Sequence, residues 1–407
     1  MKLDEVKANK KWALNGGPFG SKLVSRDYTP DGVPVIRGTN LPEDARFSYD
    51  GFVFVSEEKA DDLLANNAHP GDLVFTQRGT LGQVGLIPKD SPYPRFVISQ
   101  SQMKLTVDEA KADAVFIYYI FRSPSTVKRI HNLAFSSGVP HINLDILRNF
   151  DVALPPLPVQ RAVAGVLAAY DELIENNTRR IKLLEQMAQA LYREWFVRPC
   201  QAGKLPKGWE RKQIGDVATL LRGKSYRSED LADDGSLPFL NLKCMERDGG
   251  FRHEGIKRFR GDYKDNHTAK AGDIVVAVTD MTQERRIVAR AARVPRTHEP
   301  LYVMSMDLVR LAPKPGIPDA YLYAMLRYSK FPDEVKQHAN GVNVLHLSPD
   351  RIAQFEFELP DKARREQFGE VAQSIFEQCD VLNLKNANLR RTRDLLLPKL
   401  ISGEVSL

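Results

Sequence analysis

Chemistry in this chain is concentrated in short stretches where glycine stands beside Ser, Thr, Asn, Gln, Arg or Lys. The first half carries Gly20-Ser21-Lys22, Arg37-Gly38-Thr39-Asn40, Thr76-Gln77-Arg78-Gly79-Thr80 and Gln100-Ser101-Gln102. The second half carries Lys224-Ser225-Tyr226, Asn241-Leu242-Lys243, and Thr279 to Arg286, which includes Thr282, Gln283, Arg285 and Arg286. Glycine lets a backbone approach a phosphate, and Arg, Asn and Gln form paired hydrogen bonds with base edges. Phe251-Arg252-His253 and Lys257-Arg258-Phe259-Arg260 interleave basic and aromatic residues in the same sense. Any one of these stretches alone also reads as a solvated turn. The inference rests on matched stretches that recur with different residues.

Catalytic patterns are missing. Gly223-Lys224-Ser225 invites a phosphate-loop assignment, but the required leading glycine falls on Ala218. Pro318-Asp319 with Glu334-Val335-Lys336 imitates a metal-nuclease carboxylate set, yet Tyr321, Leu322, Met325 and Leu326 have the spacing of an ordinary core helix. No His-Glu-x-x-His, Gly-x-Ser-x-Gly, dinucleotide fingerprint or Asn-Pro-Pro-Tyr-like tetrapeptide occurs. His141 and His346 occupy matched places and read as structural hydrogen-bonders or contacts to nucleic acid.

The elements that must hold these loops form a repeat about 205 residues long. Gly32 to Ile36 answers Ser236 to Leu240, Pro70 to Val74 answers Ala271 to Val275, and Phe150 to Pro155 answers Phe355 to Pro360. Strands are expected at 33–36, 72–75, 84–87, 239–240, 274–278 and 287–289, with helices at 113–121 and 318–328. After each Leu-Pro comes a helical tract. In the first, Leu167, Tyr170, Ile174, Ile181, Leu184, Ala188, Leu191 and Trp195 step alternately by three and four, with polar Asn177 in the seam. A helix over 158–196 would span roughly 55–60 Å, more than a compact domain needs. The second tract places Phe368, Val371, Ile375, Leu382, Leu389 and Leu396 on the same grid, interrupted by Gln378, Lys385 and Thr392.

The predicted fold class is therefore mixed α/β. It has two similar strand-rich domains, two long antiparallel coiled-coil helices and an internal pseudo-twofold repeat. Expected boundaries are 1–154 and 199–360 for the domains, and 155–198 and 361–407 for the helices, with a linker over 201–208. A chain of 407 residues suits two to three domains. Hydrophobic residues at 43% and charged residues at 27% suit a globular chain. The longest apolar run, about ten residues from Ala112 to Phe121, is too short for a membrane span. The N-terminus has no apolar signal core, so a cytoplasmic location is expected. Three distant cysteines suggest neither a disulfide framework nor a zinc knuckle. A net charge of +6 permits a nucleic-acid partner without requiring one.

The chain resembles the specificity (S) subunit of type I restriction-modification systems. The likeness is carried by Gly17-Pro18-Phe19-Gly20-Ser21-Lys22 with Gly32 to Asn40, and by Pro70 to Val74. Leu154 to Arg161 carries it too, running into Ile174-Glu175-Asn176-Asn177 and Glu194-Trp195-Phe196, as does the tail from Leu396 to Glu404. Leu205 to Glu210 is a usual family lead-in to the second body; Lys2 to Val6 has no equivalent before it. The resemblance implies two target recognition domains, each reading one half of a split double-stranded DNA site from the major groove. It implies helices that dock two methyltransferase (M) subunits, with a translocating restriction (R) subunit joining for cleavage. S-adenosylmethionine would belong to the M subunits, and this chain would carry no cofactor and no catalysis. Asn176, Arg179, Arg180 and Arg193 are the candidate partner-binding residues. The alternatives are a stand-alone DNA methyltransferase or nuclease, and a coiled-coil scaffold.

Overall fold

The computed structural model describes residues 1–134, 140–200 and 205–405; half of the expected linker, residues 201–204, lies outside them. Both helical tracts form. The central helix runs Leu157–Tyr192 and continues as a π turn, Arg193–Val197, and a 3-10 turn, Arg198–Cys200. The C-terminal helix runs Lys362–Ser402. The chain divides into two compact units, Met1–Asn176 with Asn386–Leu407, and Asn177–Lys385. Each unit thus owns one strand-rich body, half of the central helix and half of the C-terminal helix.

In the first unit a four-stranded antiparallel sheet has the order Leu14–Gly16, Gln102–Leu105, Leu73–Thr76, Val84–Leu86. A five-stranded sheet has the order Tyr28–Thr29, Val53–Val55, Val33–Ile36, Phe96–Ile98, Asn67–Ala68, and its Val33–Ile36 and Phe96–Ile98 pair in parallel. The second unit repeats the first sheet and four of the five strands of the second, an isolated bridge from Leu231 to Phe259 standing in place of the edge strand. Its antiparallel sheet runs Ala218–Arg222, Leu308–Pro313, Ile274–Ala277, Ala291–Arg293. Its second sheet runs Lys257–Phe259, Leu237–Leu240, Tyr302–Met304, Thr268–Ala269, with Leu237–Leu240 parallel to Tyr302–Met304.

The apolar runs 73–75 and 274–277 are explained by burial on both faces of a strand whose side chains alternate. Leu73 and Phe75 join the core that contains Phe116, Tyr119 and Leu167, while Val74 joins Ile36 and Phe96 of the other sheet. Ile274 and Val276 likewise join Tyr321 and Phe368, while Val275 and Ala277 join Leu240 and Met304. Each body is therefore layered as helices, sheet, sheet. The helices Ala114–Arg122 and Asp319–Tyr328 supply the helical layer, and Tyr321, Leu322, Met325 and Leu326 are all buried as expected.

The long helices pair antiparallel within each unit. In the first, Val163, Ala164 and Leu167 share a core with Leu397 and Leu400, Asp171 meets Arg393, and Asn386 Nδ2 donates to the Ile174 carbonyl. In the second, Phe196, Trp195 and Tyr192 surround Phe368, and Ala188 joins Ile375 and Phe376 in one core. The heptad of the C-terminal helix corrects the sequence grid. Val371 is exposed, as are Gln378, Lys385 and Thr392; the buried seam runs Phe368, Ala372, Ile375, Cys379, Leu382, Asn386 and Arg393. Every second seam position sits one residue later than expected. The polar interruptions were therefore solvent-facing residues beside the true seam.

Two further differences concern the bodies. Residues 287–289 are not a strand. The amides of Ile287 and Val288 donate to the carboxylate of Asp280, and Ala289 has φ +62°, so the backbone turns and the strand begins at Ala291. At the N-terminal edge an isolated bridge, Lys2 to Asp151, stands where the second unit has a full pairing of Glu210–Gln213 with Glu356–Leu359, and a second bridge joins Lys7 to Val107. Leu3 and Val6 are nonetheless fully buried, in the same core as Leu397 and Leu400.

Candidate nucleic-acid interface

Four polar stretches of the first body meet at one end of its sheets. The Gly17 amide donates to the Gln102 carbonyl, the Gln77 amide to Ser101, and the Ser99 amide to Ile36. The Ile142 amide reaches the Gln77 carbonyl, which brings His141 beside Arg78. Gly17 has no room for a side chain: a Cβ there would lie 2.0 Å from the Ser99 carbonyl oxygen. The Gln100 side chain then spans the next turn, donating to the carbonyls of Gly20 at 2.7 Å and Leu23 at 2.9 Å. Gly20 itself has φ +59°.

The second body makes the same bonds with other side chains. Gly223 donates to Leu308, Ser305 to Leu240 and Leu347 to Val278. A Cβ on Gly223 would lie 2.1 Å from the Ser305 carbonyl oxygen. The stretch from Thr279 to Val288 is organised by Asp280, which is buried and accepts from the amides of Thr282, Ile287 and Val288 and from the Thr282 hydroxyl. Burial opposes ionisation of this carboxyl, but the amides outweigh it and hold the group below the ordinary carboxylate value. Gln283 donates to the Val342 carbonyl and Arg285 to Gln337, so the loop is tied to residues 337–342. Arg286 pairs with Asp248, whose hydrogen bond raises the guanidinium further above its usual value.

The structure sorts the expected contact residues into two sets. Gly20, Ser21, Lys22, Thr39, Arg78, Thr80 and Gln100 are exposed in the first body, and Arg37 is half-buried with its guanidinium on the Gly51 carbonyl. Ser225, Lys243, Thr282 and Gln283 are exposed in the second, with Lys224, Tyr226, Arg285 and Arg286 half-buried. Asn40, Thr76, Gln102, Asn241 and Thr279, expected as contact residues, are instead buried within the loops or at their strand ends. Asn40 accepts from the Arg37 amide and donates to the carbonyls of Ser48 and Asp50. Asn241 accepts from the Lys243 amide and donates to Gly255. Thr76 donates to Gln83, Gln102 pairs with the Ser99 hydroxyl, and Thr279 pairs with His346 across two short strands. A buried polar group must be hydrogen-bonded, and the side chains of Asn40, Thr76, Gln102 and Asn241 meet that need inside the fold. Asn176, Arg179, Arg180 and Arg193 are all exposed on the central helix and its π turn.

Sequence reasoning passed over several residues that matter here. Asp280 was visible as an Asp two residues before Thr282, the signature of a side chain capping its own loop. Arg46 carried no such signal. It grips Glu175 of the central helix with two hydrogen bonds, 2.9 and 2.8 Å, and so fixes the loop after Asn40 to that helix. Arg327 does the corresponding work in the second unit, on Glu185 and the Gly249 carbonyl.

These features define a duplicated protein, one scaffold built twice with unlike loops gathered at the same end. The type I restriction modification DNA specificity domain model matches the chain twice, over residues 20–186 and 206–390. The chain belongs to this family. Among its relatives is the type I restriction enzyme MjaIX specificity subunit of Methanocaldococcus jannaschii, 21% identical over 82% of this chain and 78% of the relative. The HindI specificity subunit of Haemophilus influenzae is 22% identical over 78% and 83% respectively. The crystal structure of the type I restriction-modification S subunit from M. genitalium shares the fold, with a TM-score of 0.60, 18% identity, and coverage of 98% of this chain and 95% of that one.

Proposed function

We propose that this chain is the DNA sequence-specificity subunit of a type I restriction-modification complex. One observation carries the assignment: two copies of one sheet topology make the same backbone bonds at their loop ends while presenting different side chains. A shared scaffold with divergent loops is what reading two different half-sites requires. Residues 1–154 and 199–360 serve as the two recognition domains, and the helical segments 155–198 and 361–407 carry them. The exposed set around Lys22, Arg78, Gln100, Lys243 and Gln283 supplies the contacts. The five buried residues hold the loops in shape.

In this reading the exposed face of the central helix, with Asn176, Arg179, Arg180 and Arg193, docks methyltransferase subunits. Restriction subunits join the assembly, which works on DNA in the cytoplasm. Methyl transfer and cleavage belong to those partners, and S-adenosylmethionine to the methyltransferase. The test is to reconstitute the chain with its methyltransferase subunits and map methylated adenines on genomic DNA. A two-part target with a fixed spacer is expected; one uninterrupted motif, or no sequence preference, would contradict the assignment. The chain alone should neither methylate nor cut, and robust activity of either kind would favour a stand-alone enzyme.

A further inference from the structure

Polar residues do not account for everything the loops display. Outside the two long helices, Phe19 is the most exposed large apolar side chain described in the first unit, at 78%. In the second unit, Val342 at 90% and Met281 at 65% hold that place. All three lie on the loops described above.

Each of these tips stands on a backbone that is pinned. Phe19 lies two residues after Gly17, which is jammed against Ser99, and the Gln100 side chain holds the carbonyls on either side of Ser21-Lys22. Met281 follows the Asp280 clamp. Val342 follows Gly341, at φ +149°, where a Cβ would lie 1.9 Å from the Val344 carbonyl oxygen, and its own carbonyl accepts from Gln283. An isolated exposed apolar residue is ordinary on a protein surface. Three of them, the most exposed of each body outside the long helices, stand on hydrogen-bonded loops among hydrogen-bonding side chains. Such groups seek an apolar partner. Along the major-groove edge of paired DNA the distinctive apolar group is the thymine 5-methyl.

Resting on the DNA-specificity reading, we propose that Phe19 in one body, and Met281 with Val342 in the other, read thymine 5-methyl groups within their half-sites. The hydrogen-bonding residues around them then report polar base edges, and the apolar tips separate thymine from cytosine.

The test uses the complex reconstituted with methyltransferase subunits and its mapped target duplex. Each thymine is replaced in turn by deoxyuridine, which lacks only the methyl. In the wild type at least one replacement in each half-site should weaken binding about fourfold, the worth of one buried methyl. In Phe19→Ala that penalty should vanish in one half-site and persist in the other; in Met281→Ala with Val342→Ala the pattern should reverse. All three side chains are exposed, so unchanged thermal unfolding would show the variants are folded. A half-site without thymine, or penalties identical in wild type and variants, would overturn the proposal. Wild-type complex that fails to distinguish target from scrambled duplex would instead sink the DNA-specificity assignment itself.

Discussion

Asp171 of the central helix and Arg393 of the C-terminal helix form an ion pair at the centre of the first unit, with only 3% and 7% of their side chains exposed. The Tyr119 hydroxyl donates to the other carboxylate oxygen at 2.6 Å, and Asp394 takes the remaining face of the guanidinium. The repeat, carried across at about 205 residues, places Ala324, Phe376 and Ala188 where this unit has Tyr119, Asp171 and Arg393, and all three are buried. At this matched position one copy packs apolar side chains, and the other a buried charge cluster.

Removing one member of a buried pair strands the other. Arg393→Met or Asp171→Leu alone should cost about 3–5 kcal/mol in denaturant unfolding. The triple change Asp171→Leu, Arg393→Met, Tyr119→Phe should recover most of that loss, since an apolar version already exists in the second copy. A triple variant no better than the singles would show the charges to be indispensable.

Asn40 and Asn241 are buried and bonded within their own loops, and in the proposed reading they shape those loops while the exposed residues contact bases. Replacing either by Ala leaves buried carbonyls or amides unpaired and should cost about 1–3 kcal/mol of stability. The methylated sequence should stay the same at any temperature where the variant is folded. Arg78→Ala, in contrast, should leave stability nearly unchanged and relax one half-site. Methylation mapping of both variants checks the distinction.

Gly17 and Gly223 provide a matched pair of tests. A methyl group at either position meets a backbone carbonyl near 2 Å, so Gly→Ala must displace the loop. Each substitution should weaken recognition of one half-site and spare the other, read as binding to duplexes with one half-site scrambled.

The Asp280 carboxyl is held below its ordinary value of 3.8 by amides that outweigh burial. A folded value below the unfolded one means a stabilising contribution present above that range and lost as pH falls through the folded value. Thermal unfolding of the wild type should show this acid loss. Asp280→Asn should be less stable near neutral pH by about 1–3 kcal/mol and should lose less on acidification.

Burial pushes the thiols of Cys244 and Cys379 up to about 12. Neither should react with an aromatic disulfide reagent at pH 8 in the folded protein, and both should react after denaturation. Cys200 is half-buried, and burial raises its thiol as well, so it should label first but slowly.

Much of this architecture is local and therefore written in the chain. Uninterrupted apolar runs mark strands covered on both faces, a step of three and four marks a helix with one buried seam, and recurrence of both marks a duplicated body. The positions of the candidate contact loops follow, because glycine and polar residues must fill the gaps between strands. Tertiary structure alone decided which of those residues face outward. Asn40 and Thr39 are neighbours of similar polarity, yet one is spent inside its turn and the other is exposed, and the carbonyls of Ser48 and Asp50, brought back by the folding of the loop, settle the difference. The same holds for the C-terminal helix. Periodicity gave its spacing, but the choice of Cys379, Asn386 and Arg393 over Gln378, Lys385 and Thr392 belongs to the helix packed against it. Burial is a property of two surfaces, and a sequence read by itself contains only one of them at a time.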